Sequence, residues 1–158
     1  PARSSYHRAA AALFGDGDDV GRLRIGDALA PPALRELLAA YAAGEDSGEM
    51  IALAARASTV LRGQTRLEDG VAKPHSLRHT RLLRTGTRLF APLAYQGGSL
   101  ATASAEERAL LAAAASLVRR GGTHRSRGWG RLALALCEGP SDLTAAWRGP
   151  LLDALEAA

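Results

Sequence analysis

Thirteen consecutive residues, Arg119-Arg120-Gly121-Gly122-Thr123-His124-Arg125-Ser126-Arg127-Gly128-Trp129-Gly130-Arg131, limit what can stand on either side of them. They hold four glycines and five arginines. Glycine costs about 1 kcal/mol relative to alanine inside a helix, and it weakens a strand interior, so neither element runs through the stretch. It must be a loop. Before it, Ser104 and Glu107 have capping-box spacing, and Leu110, Leu111, Ala114, Leu117 and Val118 share one helical face. That spacing predicts a helix over 105–120. After it, Leu132, Leu134 and Leu136 alternate with Ala133 and Ala135, which predicts a strand buried on both faces.

The chemistry of the loop is one-sided. Glycines allow close backbone approach and present N–H groups without a side chain in the way. Arginines add planar forks that match phosphate oxygens. Together they describe a cationic clasp for a polyanion. The competing reading is a glycine loop held open by turns, with solvated arginines. In that reading Arg119 and Arg120 only offset the negative pole of the preceding helix. Trp129 has two roles open to it, stacking on a base or plugging the core beneath the loop.

The rest of the chain alternates helical and extended patterns. Ser4 or Ser5 caps a helix over residues 4–14 that Gly15 ends, with Arg3, His7 and Arg8 at its start. A helix N-terminus there offers N–H groups to a phosphate; the alternative is a frayed end with exposed charges. Asp16-Gly17-Asp18-Asp19 reads as a turn, and Val20–Ile25 as a short extended segment. Asp16, Asp18, Gly21 and Asp27 match a calcium loop only in part, because Val20 and Arg24 stand where oxygen ligands belong.

After Pro31-Pro32, Leu34, Leu37, Leu38 and Tyr41 form a helical core stripe. Residues 49–57 fit a helix or a strand entry. Residues 59–67 and 77–84 read as two strands around Glu68-Asp69-Gly70, and 87–95 as a third, with Pro92 at an edge or bulge. From Ser141, Leu143, Trp147, Leu151 and Leu155 make a tail helix that Pro150 kinks or splits. Its apolar face has two possible partners, the domain itself or a neighbouring subunit.

With 158 residues the chain is long enough for one domain with a real core. Aromatics are only 4%, so that core is built from leucine, alanine and valine. The formal charge is +4, with Lys73 the one lysine among 20 basic residues. A single cysteine, Cys137, excludes an internal disulfide and a cysteine-based zinc site, and reads as a buried small hydrophobe in a reducing compartment. No run of about 18 apolar residues offers a membrane span.

Taken in order, these stretches resemble the RAMP superfamily of CRISPR effector proteins, and in particular the backbone subunits of type III complexes. The loop Gly121–Arg131 resembles the family's glycine-rich signature. Pro1-Ala2-Arg3-Ser4-Ser5 with Leu13-Phe14-Gly15, Gly21-Arg22-Leu23-Arg24-Ile25-Gly26-Asp27-Ala28, and Glu68-Asp69-Gly70-Val71-Ala72 through Ser76-Leu77 to Thr85-Gly86-Thr87-Arg88-Leu89-Phe90 follow the family's other sections.

The resemblance implies an α+β, ferredoxin-like (RRM-like) βαββαβ RNA-binding domain over residues 1–140, lacking its first strand here, with a helical extension at 141–158. It implies a cytoplasmic ribonucleoprotein in which crRNA, target RNA and other effector subunits are the partners, with no membrane and no cofactor. The RNA-binding residues would be Arg3, Ser4, Ser5, His7, Arg8 and all of Arg119–Arg131. Arg62, Arg66, Lys73, His75, Arg78, His79, Arg81, Arg84 and Arg88 would form the basic face of a hairpin reaching into the RNA; a solvated two-stranded ribbon is the alternative.

The target-cutting aspartate of such subunits lies in a loop upstream of the motif at Pro1. No catalytic residue or metal ligand is therefore assigned. Two other classes stay open: a guide-processing endoribonuclease using His7 or His124 as acid or base, and a capping subunit with little RNA contact.

Overall fold

A computed structural model describes residues 2–44, 47–123 and 128–157. Among them the protein is mixed α+β, with five α-helices and four two-stranded antiparallel sheets. It divides into two compact units, residues 1–26 with 93–158, and residues 27–92.

The first unit holds α1 (Ala2–Phe14), β1 (Leu23–Ile25), β6 (Leu93–Tyr95), α4 (Ala105–Leu117), the hairpin β7 (Cys137–Glu138) and β8 (Ser141–Asp142), and α5 (Thr144–Glu156). Gly15 ends α1 in the left-handed region (φ +86°) and donates to the Ala11 carbonyl at 2.8 Å. The Asp16 carboxylate then accepts the N–H groups of Asp18 (3.2 Å) and Asp19 (3.1 Å), which makes the expected turn. That turn returns the chain to β1, whose Leu23, Arg24 and Ile25 pair with Tyr95, Ala94 and Leu93.

The capping box of α4 forms as its spacing predicts: Glu107 N–H donates to Ser104 Oγ (3.1 Å) and Ser104 N–H to Glu107 Oε2 (2.7 Å). The buried face of α4 is mostly alanine, so Leu13 of α1, Leu111 and Leu136 close tightly on Ala112 and Ala115. Helix α5 packs on α4 and brings Trp147 against this core. The tail therefore packs at home. Pro150 does not end α5, and its carbonyl accepts the Tyr6 hydroxyl at 3.3 Å.

Several expectations are corrected in this unit. Helix α4 stops at Leu117 rather than Arg120, and Leu117 is 77% exposed. β-Branched Val118 leaves the helical region at ψ 108°, and after Arg119 and Arg120 come Gly121 and Gly122, where helix propensity is low. Residues 132–136 form no sheet strand among the described residues, and only Leu136 is buried. The reason is local. The Gly139-Pro140 turn pairs Cys137–Glu138 with Ser141–Asp142, and Leu136 spends its N–H on Thr144 Oγ1 (2.8 Å) and its carbonyl on Leu143 N–H (2.8 Å). Cys137 is exposed on that hairpin, not buried. Of residues 87–95 only Leu93–Tyr95 is a strand; Phe90 exchanges two hydrogen bonds with Leu29, and Pro92 lies between.

The second unit holds α2 (Pro32–Ala42), α3 (Ser47–Ser58), β2 (Thr59–Gln64), the two-residue strands β3 (Leu67–Glu68) and β4 (Val71–Ala72), and β5 (Arg78–Leu83). Residues 49–57 are thus helical. Strands β2 and β5 make the expected hairpin, closed by Asp69 (φ +51°) and Gly70 (φ +80°), both left-handed as a primed turn requires. The stripe on α2 is not core: Leu34, Leu37 and Tyr41 are 43%, 52% and 51% exposed. Two helices and a ribbon supply too few layers to cover it.

Leu13 is the one large side chain among the described residues that is fully buried. Leu13→Ala is expected to cost about 2–5 kcal/mol in urea denaturation and Leu37→Ala about 1 kcal/mol or less; equal losses would contradict this distribution of burial. The backbone N–H groups of Asp19 and Asp18 hold the Asp16 carboxyl below its ordinary value. Its folded pKa lies below its unfolded one, so its contribution is complete above the ordinary value and lost as pH falls through the folded value. Asp16→Asn should accordingly flatten part of the decline in Tm below about pH 4. Superimposable pH profiles would rule this out.

Candidate nucleic-acid interface

The loop of glycines and arginines is closed by its own neck. Gly121 N–H donates to the Gly130 carbonyl (2.9 Å), Leu132 N–H donates to the Arg119 carbonyl (3.1 Å), and Arg120 pairs with Arg131 in an antiparallel bridge. This two-rung ladder, just beyond the end of α4, takes the place of the strand expected on its far side. Glycine is required at Gly130 by sterics. A Cβ there, at φ +71°, would collide with the Gly121 carbonyl oxygen, whereas one at Gly121 would meet only the end of the Leu132 side chain, which can shift.

The neck brings Arg119, Arg120 and Arg131 together, all exposed. Thr123, Gly122 and Gly128 are exposed beyond it, and Trp129 is half-buried. His124, Arg125, Ser126 and Arg127 lie outside the described residues.

The N-terminal candidates occupy a different place. Arg3 and Ser4 are in the first turn of α1; Ser5 is half-buried, and His7 and Arg8 are exposed. Ser5 and Arg8 line a groove with Ser104, Glu106 and Glu107, at the first turn of α4. The clasp leaves the other end of that helix. Thirteen residues at about 1.5 Å each put about 20 Å along α4 between the two sets.

The hairpin does not present one basic face. Side chains alternate along a strand, and the register puts Leu61, Gly63 and Thr59 with Arg81, His79 and Leu83 on one side. Arg62, Gln64 and Val60 share the other with Thr80, Arg78 and Leu82. Some of its cations also work within the fold. Arg84 donates to the carbonyls of Arg56 (3.2 Å) and Thr59 (3.4 Å) at the end of α3, Arg81 donates to Thr59 Oγ1 (3.1 Å), and Lys73 pairs with Glu68 (3.2 Å).

Sequence reasoning missed a polar chain at the heart of the first unit. Glu107, only 5% exposed, accepts the Tyr95 hydroxyl on Oε1 (2.9 Å), and Arg22 donates to the same hydroxyl oxygen (3.3 Å). That hydrogen bond from Arg22 to Tyr95, with the Glu107 charge behind it, raises the pKa of the Arg22 guanidinium. Periodicity could not reveal it, because Arg22 and Tyr95 are 73 residues apart in sequence. No group of three or more His, Cys, Asp or Glu residues is placed to hold a metal among the described residues.

No described helix is long and apolar enough to cross a membrane. Compared with protein-family models and with curated proteins, the chain finds no match.

Because a Cβ at Gly130 would occupy the space of the Gly121 carbonyl, Gly130→Ala is expected to break the neck. The Gly121 amide should lose hydrogen-exchange protection by about tenfold or more, matching the loss of one backbone bond and the added left-handed strain. Gly17→Ala, in open space and without a positive φ, should leave that amide protected. Protection unchanged in Gly130→Ala would show that the ladder does not close the loop.

Proposed function

We propose that the chain binds guide RNA along its sugar–phosphate backbone as a RAMP-type subunit of a type III CRISPR effector. In this reading its first unit is a ferredoxin-like domain. The observation that carries the proposal is the glycine-closed neck, which collects Arg119, Arg120 and Arg131 at the base of a loop holding two further arginines in sequence. Its thirteen residues hold five arginines, no carboxylate and one large apolar side chain, Trp129. Such a surface suits phosphates, which position a nucleic acid without reading its sequence.

The order of elements in the first unit supports the fold assignment. Helix α1, strand β1, strand β6 and helix α4 follow one another, with β1 and β6 antiparallel neighbours and residues 27–92 entering between them. A helix–strand–strand–helix run of that kind is the middle of a βαββαβ domain. The second unit then reads as an insertion, whose hairpin carries exposed Leu61, Leu83, Arg81 and His79 toward a ligand or a neighbouring subunit.

If about five arginines each neutralise one phosphate of a single strand, log affinity falls with log salt at a slope of about −3 to −4. Replacing Arg119 and Arg131 together by Ala should weaken binding of unrelated RNA sequences alike and make the slope shallower by about 1.4. Fluorescence anisotropy across a salt series measures both. An unchanged affinity and slope would remove the clasp from the interface and favour a capping subunit with little RNA contact.

A further inference from the structure

Two cavities flank the first turn of α4 in the first unit, and their chemistry is opposite. One is the groove of Ser5 and Arg8, which has Glu106 and Glu107 in its wall. The other is a cavity of about 490 Å³ lined by Val20, Arg22, Tyr95, Gln96, Gly97 and Thr102. None of these six residues is acidic. We propose that this second cavity is an oxyanion site, built to hold a phosphate group on Arg22. It does not depend on the RNA reading of the clasp.

Arg22 is held in place for that task. Its guanidinium donates one N–H to the Tyr95 hydroxyl, and that hydroxyl is in turn committed to the buried Glu107 carboxylate. Glu107 cannot turn away, because its second oxygen accepts the Ser104 N–H of the capping box. The relay orients the fork and leaves its remaining donors for a ligand, since a guanidinium has five. A preorganised fork loses less side-chain entropy on binding than a free one.

The backbone adds to the site. Gln96 N–H donates to the Arg22 carbonyl (2.9 Å), which fixes the two residues side by side. Gly97 and Gly98 follow with φ of +115° and +131°, conformations that keep side chains off the cavity rim. The Thr102 hydroxyl is engaged with the Ser99 carbonyl (2.6 Å) and fixes the far wall. What the cavity lining offers is a charged fork, a side-chain amide and bare glycine backbone, with the one nearby carboxylate, Glu107, set back behind the Tyr95 hydroxyl. That is the donor set of a phosphate site.

Inorganic phosphate, a nucleoside 5′-monophosphate and a backbone diester all present this oxyanion. Titration of the full chain by ¹H–¹⁵N NMR separates them, using each of the three in turn, with the diester supplied as a short 5′-hydroxyl RNA, against chloride at equal ionic strength. Saturable shifts of the Gln96, Gly97 and Gly98 amides are expected with at least one phosphate source and not with chloride. Shifts by the RNA alone assign the site to a backbone diester; shifts by phosphate and the monophosphate assign it to a free or terminal phosphate.

Arg22→Gln should weaken the responding ligand by about tenfold or more, the loss expected for one charge-assisted contact. Should that variant fail to fold, Gln96→Glu at an exposed position places a carboxylate in the cavity and should weaken the same ligand similarly. Absence of saturable shifts with every source overturns the proposal. So does binding that a folded Arg22→Gln, or Gln96→Glu, leaves unchanged.

Discussion

A buried carboxylate organises the larger unit. Glu107 has almost no access to water, and an ionised group so placed costs several kcal/mol unless hydrogen bonds replace its hydration. Here they do: Ser104 N–H on one oxygen, the Tyr95 hydroxyl on the other, and Arg22 behind Tyr95. Three segments far apart in sequence are tied to one point. The same contact starts α4, anchors the end of β6, and holds the strand that follows α1. With those three fixed, Leu13, Leu111 and Leu136 meet over alanines, and the far end of α4 delivers the chain to the neck of the clasp.

The core that results is small, and it is confined to one unit. All the buried apolar residues among those described belong to residues 1–26 and 93–158. Alanine makes this possible, because helices bearing it approach closely and need few large side chains to exclude water. The other unit is held by ribbon hydrogen bonds and by arginine and hydroxyl contacts at the end of α3, with its leucines left half in solvent. Regions with few buried contacts open locally at lower free energy, so this unit is expected to open before the larger one.

What could be read from the sequence was what local chemistry decides. Ser104 and Glu107 are three residues apart, Gly15 follows its helix directly, and Asp69-Gly70 is a two-residue turn, so each declared itself within a few positions. Leu132 to Leu136 misled for the opposite reason. Alternation reports that a strand is possible, but a strand exists only when a partner takes its hydrogen bonds, and Thr144 and Leu143 took those of Leu136 instead. The hairpin's cations were legible as residues but not as a face, since pairing register divides them. Arg22 was read only as part of a motif. Its partner Tyr95 lies 73 positions away, and no period connects them.

The clasp joins the two lines of reasoning. Its composition suggested a loop suited to a polyanion, and the neck closes that loop by a means composition did not contain: a left-handed glycine, Gly130, that lets opposing backbones touch. The narrow base keeps Arg119, Arg120 and Arg131 close together and so concentrates their positive charge. The direct measurement is the map of backbone amide shifts when a single-stranded RNA is titrated into the full chain. Binding by the clasp predicts the largest saturable changes at Arg119–Gly122 and Gly128–Arg131, with little dependence on base sequence. Saturable changes elsewhere with those neck amides unmoved would contradict it.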